Sequence, residues 1–132
     1  MALTPQFVNP NGQGATTVYP LTVIGSGDQS ATGASGAATA ITVTGQANRK
    51  VIVRQIAWSY SATPAAGSTV SLDDSAGTPV TYFSLHVTAA GPDGWIFSPP
   101  IALPNGLNAV VTLSAPGGAV VGKLFANAYV EH

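Results

Sequence analysis

Apolar and polar residues alternate along much of this chain in short runs, which turn-forming residues separate. From residue 39 onward, β-branched and aromatic residues recur at every second position, the period of a half-buried strand. Clusters of Gly, Pro, Asp and Ser lie between the runs, and no segment shows a sustained helical period with caps. The pattern predicts strands at 39–44, 50–60, 68–73, 79–87, 94–98, 107–114 and 120–130.

These strands, with a possible eighth at 16–24, predict an all-β protein that folds as an antiparallel sandwich or barrel. The strand at 50–60 shows an irregularity in its pattern. Ile56, Trp58 and Tyr60 share one face, but Val51 and Val53 have the opposite parity. We therefore expect either that both faces of this strand are covered or that a β-bulge near Arg54 and Gln55 shifts its register.

The first 37 residues differ in composition from the rest of the chain. They are predicted to form an extended N-terminal arm that precedes a sandwich domain at 38–132. The arm holds one apolar island, TTVYPLTVI at 16–24, in which Pro20 favours an edge strand or a strip laid on another surface. The stretch 25–38 is rich in Gly, Ser and Ala and has the composition of a flexible linker. It is interpreted either as a disordered spacer or as an ordered arm between subunits.

Charge is scarce, which changes the expected function. Charged residues make up 7% of the 132-residue chain, against about a quarter in typical soluble domains, and the formal net charge is −1. So few charges favour association with neighbours, and four basic residues argue against nucleic-acid binding. The chain has no cysteine, no recognisable signal peptide and no apolar run long enough for a membrane helix. We expect a homo-oligomer with neither nucleic acid nor membrane as a partner.

Three of the four basic residues, Arg49, Lys50 and Arg54, lie within six positions. Arg49 and Lys50 mark the solvent-facing start of the strand. Arg54 lies among apolar residues, so it needs either an outward position with a carboxylate nearby, such as Asp73 or Asp74, or a salt bridge across a subunit interface. The candidate interface residues are therefore Tyr19, Leu21, Val23, Arg49 and Arg54.

The sequence contains no convincing catalytic constellation, and we expect no enzyme, cofactor or metal site. Asp73 and Asp74 precede Ser-Ala-Gly-Thr-Pro and are expected to shape a turn, with calcium binding or acid–base catalysis as the alternatives. His86 alternates with polar strand residues, and no GxSxG elbow or Walker loop is present. Four aromatic residues are candidates for a sugar-stacking platform, although aromatic residues in short strands more often belong to a core or an interface: Trp58, Tyr60, Tyr82 and Trp95.

Two long stretches, GQANRKVIVRQIAWSYSATPAAGSTVSLDDSAG and TAAGPDGWIFSPPIALPNGLNAVVTLSAPGGAVVGKLFANAYVE, resemble small virion structural proteins of tailed bacteriophages. The resemblance covers about 45–131 and rests on strings such as SYSATP and GGAVVGKLFANAY. It implies a jelly-roll-like sandwich that serves as a capsid decoration, cement or accessory protein. Its implied partners are further copies of itself, with a trimer as one option, and other virion proteins such as the major capsid protein. Its implied location is the virion, after synthesis in the host cytoplasm.

The alternative is a carbohydrate-binding or host-recognition module that uses exposed aromatic side chains. Exposure of Trp58 and Trp95 separates the two functions, because a binding module presents aromatic rings to solvent and a structural subunit buries them.

Overall fold

The computed structural model describes residues 27–131, and within this range every regular element is a β-strand. Most of the strands alternate between more buried and less buried positions, and two of them are exposed along most of their length. The eight strands are β1 (Gly27–Thr32), β2 (Thr39–Val43), β3 (Val51–Tyr60), β4 (Thr69–Asp74), β5 (Thr81–His86), β6 (Gly91–Ala102), β7 (Ala109–Leu113) and β8 (Gly122–Val130). The prediction of an all-β chain is confirmed.

The strands form two four-stranded sheets with the orders β1-β8-β3-β6 and β2-β7-β4-β5, and every pairing is antiparallel. The first strand pairs with the last, the second with the seventh, the third with the sixth and the fourth with the fifth. These nested pairs define a jelly roll, in which an antiparallel hairpin is wrapped into two facing sheets. The predicted antiparallel, jelly-roll-like sandwich is confirmed, and the barrel alternative is wrong.

The core lies between the inner faces of the two sheets, where alternate residues of each strand meet. β2, β7 and β8 bury every second residue, as their sequence patterns predict. Burial of apolar surface stabilises a fold by about 25 cal/mol per Å². This alternation therefore supplies the main driving force for packing the two sheets together. The largest fully buried side chains include Ile56, Leu72, Leu103 and Leu113.

β3 contains the predicted β-bulge. Its register shifts between Val53 and Gln55 relative to both neighbouring strands. Against β8 the extra residue is Arg54, and against β6 the extra residues lie on β6, at 97–100. Val51 and Val53 face the core before the bulge, and Ile56 faces it afterwards. The bulge therefore reconciles the two parities of the sequence pattern and lets one long strand contribute to the core along its whole length.

The domain boundary predicted at residue 38 is wrong in one respect. Residues 27–32, assigned from sequence to the flexible linker, form β1 and pair with β8 from Gly27↔Ala128 to Thr32↔Lys123. β1 is polar and rich in small residues, so its strand conformation comes from the hydrogen-bond ladder that β8 offers and not from its own pattern. The sandwich thus includes residues that the sequence placed in the arm. The island at 16–24 lies outside the described residues.

Candidate interaction site

The two sheets leave four edge strands, which lie on two sides of the sandwich. β1 and β2 form one side, and β5 and β6 form the other. All four large hydrophobic residues that are exposed in the described chain lie on or beside the second side: Val80 (51% exposed), Leu85 (39%), Trp95 (50%) and Ile96 (70%). We call these residues, with strands β5 and β6, the apolar edge.

The apolar edge is open because core-facing residues reach solvent there. Leu85 pairs with the buried Val70 and shares its inward face, and Trp95 pairs with the buried Ile56. Phe83 closes part of the gap between the sheets, because its ring centroid lies 5.6 Å from that of Trp95 and 5.3 Å from that of Phe97. No further strand covers these side chains within residues 27–131, so Trp95 and Leu85 remain partly exposed.

The outer side of this edge also has no backbone partner among residues 27–131, although the Gly94 N–H donates to Asp93 Oδ1. Within the described chain, no backbone hydrogen bond links β5 or β6 to any segment other than their sheet partners β4 and β3. Pro92, Pro99 and Pro100 lack an N–H, which leaves 93–98 as the longest stretch of β6 with every backbone donor intact. An exposed edge with free donors and apolar side chains is a template for strand pairing.

Charge does not protect the apolar edge. From residue 75 to residue 122 the only Asp, Glu, Lys or Arg is Asp93, and His86 is the only histidine. Soluble proteins commonly block an exposed edge with charged side chains, and here the prolines of β6 are the main obstacle to pairing. The edge therefore has the composition of the centre of a protein interface, where aromatic residues are enriched and charged residues are depleted.

The predicted interface residues that can be located lie elsewhere. The Arg54 side chain is exposed, its Nε donates a hydrogen bond to Asn127 Oδ1 at 2.9 Å, and its guanidinium lies 5.0 Å from the centre of the Tyr129 ring. Asn127 Nδ2 in turn donates to Asp28 Oδ1 at 2.6 Å. This chain of contacts connects β3, β8 and β1 on the outer face of one sheet.

The predicted pairing of Arg54 with Asp73 or Asp74 is wrong, because both carboxylates lie on β4, which belongs to the other sheet. Arg49 is half-buried in the turn before β3, where its N–H donates to Gln46 O and its carbonyl accepts from Gly106 N. The remaining candidates, Tyr19, Leu21 and Val23, lie outside the described residues.

Asp74 shapes the turn between β4 and β5, as predicted. Its Oδ1 accepts hydrogen bonds from the backbone N–H groups of Ala76 (3.0 Å) and Val80 (3.1 Å), and its Oδ2 accepts one from the Tyr82 hydroxyl (3.1 Å). The two backbone donors lower the pKa of Asp74, and burial together with this carboxylate raises the pKa of Tyr82. All of these groups are used in the turn, so they supply local order and not a reactive site.

Asp73 has a similar local role. Its carboxylate accepts hydrogen bonds from the hydroxyls of Ser71 and Thr81, which lie on β4 and at the start of β5. Within residues 27–131, no three His, Asp or Glu side chains converge to hold a metal ion. The same range contains no helix with the length and apolar character needed to cross a bilayer.

The four aromatic residues considered as a sugar platform do not form one. Trp58 and Tyr60 are buried, and the Tyr60 hydroxyl donates to Ser114 O at 2.6 Å. Tyr82 is bound to Asp74, so Trp95 alone presents half of its ring to solvent. A separate shallow depression of about 380 Å³ lies between β1, β8 and β3, where Lys123 and Asp93 line its rim near Phe125.

Comparison with known proteins adds little. No family model and no curated protein matches the sequence. Among solved structures, the chain is similar to TmCBM61, a carbohydrate-binding module in complex with β-1,4-galactotriose, with 12% identity over 77% of this chain and 70% of that chain. The TM-score is 0.39, and a match at this level carries no argument about ligand or function.

Proposed function

We propose that this chain is a structural subunit of a bacteriophage particle, a capsid decoration, cement or accessory virion protein that works through contacts between subunits. The observation that carries the proposal is the apolar edge on a jelly roll with very few charges. Its partners are further copies of the chain and other virion proteins such as the major capsid protein. It carries out no catalysis, and its place of action is the virion.

Exposure of this edge to water costs free energy. Trp95 and Ile96 together expose a large apolar area beside unpaired backbone groups. Monomeric proteins seldom leave such a patch uncovered, and larger ones mark sites of interaction. A partner that covers the edge gains apolar burial and backbone hydrogen bonds at the same time. The resemblance across 45–131 to phage virion proteins supports a particle as the place where such a partner is found.

A second function has one observation in its favour. Trp95 is half exposed, and an exposed aromatic face is what a carbohydrate-binding module uses to stack on a sugar ring. Trp58, the other tryptophan of that comparison, is buried. The exposure of the two tryptophans therefore supports neither function over the other. The absence of a shared aromatic platform among the described residues favours the structural role.

Co-sedimentation with phage particles assembled without this chain tests the proposed function. The variant Ile96→Lys places a charge on the apolar edge, and Ser30→Lys places the same charge at an exposed position on the polar strand β1. We expect wild-type protein and Ser30→Lys to saturate the particles and Ile96→Lys to bind at least tenfold more weakly.

Circular dichroism is the check that both variants are folded. Wild-type protein that fails to bind any particle but is retained on an immobilised glycan column would replace the structural role with the recognition role. Equal binding by Ile96→Lys and Ser30→Lys would remove the apolar edge from the proposal.

A further inference from the structure

We infer that the apolar edge receives residues 16–24 of a second copy of this chain, which add as a strand along β6. The inference rests on the proposed function, because it names the partner of the edge through which the subunit works. It joins two features of the chain. One is an unpaired, apolar acceptor strand, and the other is an apolar segment that precedes β1.

The acceptor is the stretch 93–98 of β6. Within the described chain its outer side pairs with no other backbone segment, although the Gly94 N–H donates to Asp93 Oδ1 at 2.8 Å, and prolines bound the stretch on both sides. Its side chains offer apolar contacts on both faces of the sheet, since Trp95 points towards the inter-sheet side and Ile96 points outward. Main-chain hydrogen bonds with apolar contacts at alternate side chains are the means by which a sheet edge binds an extended segment.

The segment TTVYPLTVI has the matching pattern. Tyr19, Leu21 and Val23 have one parity, so in an extended conformation they share a face that can cover Trp95 and the opening beside Phe83. Pro20 has the other parity. Its missing N–H removes at most one hydrogen bond from a ladder with β6.

Chain length excludes the same arrangement within one molecule. Ile24 is three residues before Gly27, the first residue of β1, and three residues of extended chain reach about 10 Å. β1 and β6 are separated by two strands, which puts them about 14 Å apart, and a strand added beyond β6 would lie about one spacing further away. Ile24 cannot reach that position in its own molecule, so a strand that includes the whole of 16–24 beside β6 must come from another copy.

The free edge of β1 is within reach of the segment but offers no matching surface. The outward residues of β1 are Asp28, Ser30 and Thr32, and the inward residues are Gly27, Gln29 and Ala31. None of them is a large apolar side chain that Tyr19 or Leu21 could cover. The apolar character of the segment therefore favours β6 of a second copy over β1 of its own.

Cysteine cross-linking tests this inference directly, because the natural chain has no cysteine. One full-length variant carries Ile96→Cys, and a set of size-tagged full-length variants carries a single cysteine at each position from 17 to 23 except Pro20. Each tagged variant is mixed with Ile96→Cys and oxidised. We expect disulfide-linked heterodimers that alternate along the segment, strongest at residues that share the outward face with Ile96, such as Thr22, and several-fold weaker at Leu21.

The matched control replaces Ile96→Cys with Ser30→Cys, on the edge of β1. Strong cross-links to Ser30→Cys would overturn the inference in favour of pairing with β1. The same holds if a chain that carries both Ser30→Cys and a cysteine in the segment forms a disulfide within one molecule. Uniform cross-linking without alternation would also overturn it, since a strand has a period of two. In each of these cases the proposed function stands if Ile96→Lys still weakens particle binding relative to wild-type protein. If wild-type protein does not bind particles, both the inference and the proposed function are wrong.

Discussion

The two edges of this sandwich differ in how they meet solvent. On one side, β1 is polar, and contacts from Asp28 through Asn127 to Arg54 tie it to the sheet. The connection from β1 to β2 is also held, because Gly33 N donates to Gly122 O and Gly36 N donates to Val120 O. On the other side, β5 and β6 expose Trp95, Ile96 and their neighbours and leave their outer backbone groups unpaired.

This difference separates the residues that hold the fold from those available to a partner. Large apolar side chains that stay exposed are not scattered over the described surface but gather on one edge, where a single binding event can cover them. The polar edge has no such concentration and gains stability from local hydrogen bonds. The predictions below test this division, beginning with the largest effect.

Removal of the polar edge should destabilise the fold most. Deletion of residues 1–37 takes away β1 and the ladder on β8, and we expect a loss of several kcal/mol from a total stability of about 5–15 kcal/mol. Deletion of residues 1–26 leaves the described sandwich complete and should change stability little. Urea titration followed by circular dichroism measures both. Equal stability of the two deletions would show that β1 contributes nothing to the fold.

The same substitution should cost far more in the core than at the apolar edge. Leu72 on β4 is fully buried, and Leu85 on the neighbouring β5 is 39% exposed. We expect Leu72→Ala to cost about 2–5 kcal/mol through lost burial and a cavity, and Leu85→Ala about 1 kcal/mol. Leu85→Ala should nevertheless weaken particle binding. If Leu85→Ala proves as destabilising as Leu72→Ala in urea titration, the edge is part of the core and not a binding surface.

Arg54 should matter to stability only modestly. Arg54→Ala removes its contacts with Asn127 and Tyr129, and because the site is exposed we expect a cost of about 1 kcal/mol or less. Lys50→Ala, at a neighbouring exposed position, serves as the control and should be close to neutral. Thermal unfolding measures both. If Arg54→Ala abolishes particle binding and Ile96→Lys does not, the interface lies at Arg49, Lys50 and Arg54 and not at the apolar edge.

The smallest expected effect is that of Asp74 on stability at acid pH. The pKa of Asp74 is lowered in the fold, so its ionised form contributes stability above the ordinary pKa of 3.8, and this contribution is lost as the pH falls through the lowered value. We expect Asp74→Asn to flatten the fall in melting temperature between about pH 5 and pH 2. An unchanged slope in Asp74→Asn would deny the carboxylate its role at the turn beside β5.

Much of the fold could be predicted from alternation alone. β2, β3, β4, β5, β7 and β8 lie within two residues of their predicted positions at each end, because an apolar stripe with a period of two is visible in any strand that has one buried face. β6 is longer than predicted, since its pairing with β3 includes Gly91 and Pro92 at one end and Ile101 and Ala102 at the other. β1 was missed because polar and small residues leave no stripe, and only the presence of β8 makes them a strand.

The candidate site was less predictable. Arg54 was correctly placed at a bulge, but its partner was wrong, since sequence distance does not show which sheet a strand joins. The residues of the apolar edge carried no local signal that distinguished them from core residues. Strand order would have been the useful information, because the first and last strands of each sheet are the ones with an uncovered side.

The amino-acid sequence by itself determined the class of this protein, most of its strands, the bulge in β3 and its scarcity of charge. These properties follow from the identity and spacing of neighbouring residues, which act locally. Only the tertiary structure decided which apolar residues are exposed. Trp58 and Trp95 both lie in strands and both face the space between the sheets, yet Trp58 is buried on the central strand β3 and Trp95 is half exposed on the edge strand β6. Burial depends on what packs on either side of a strand, and long-range pairing sets those neighbours.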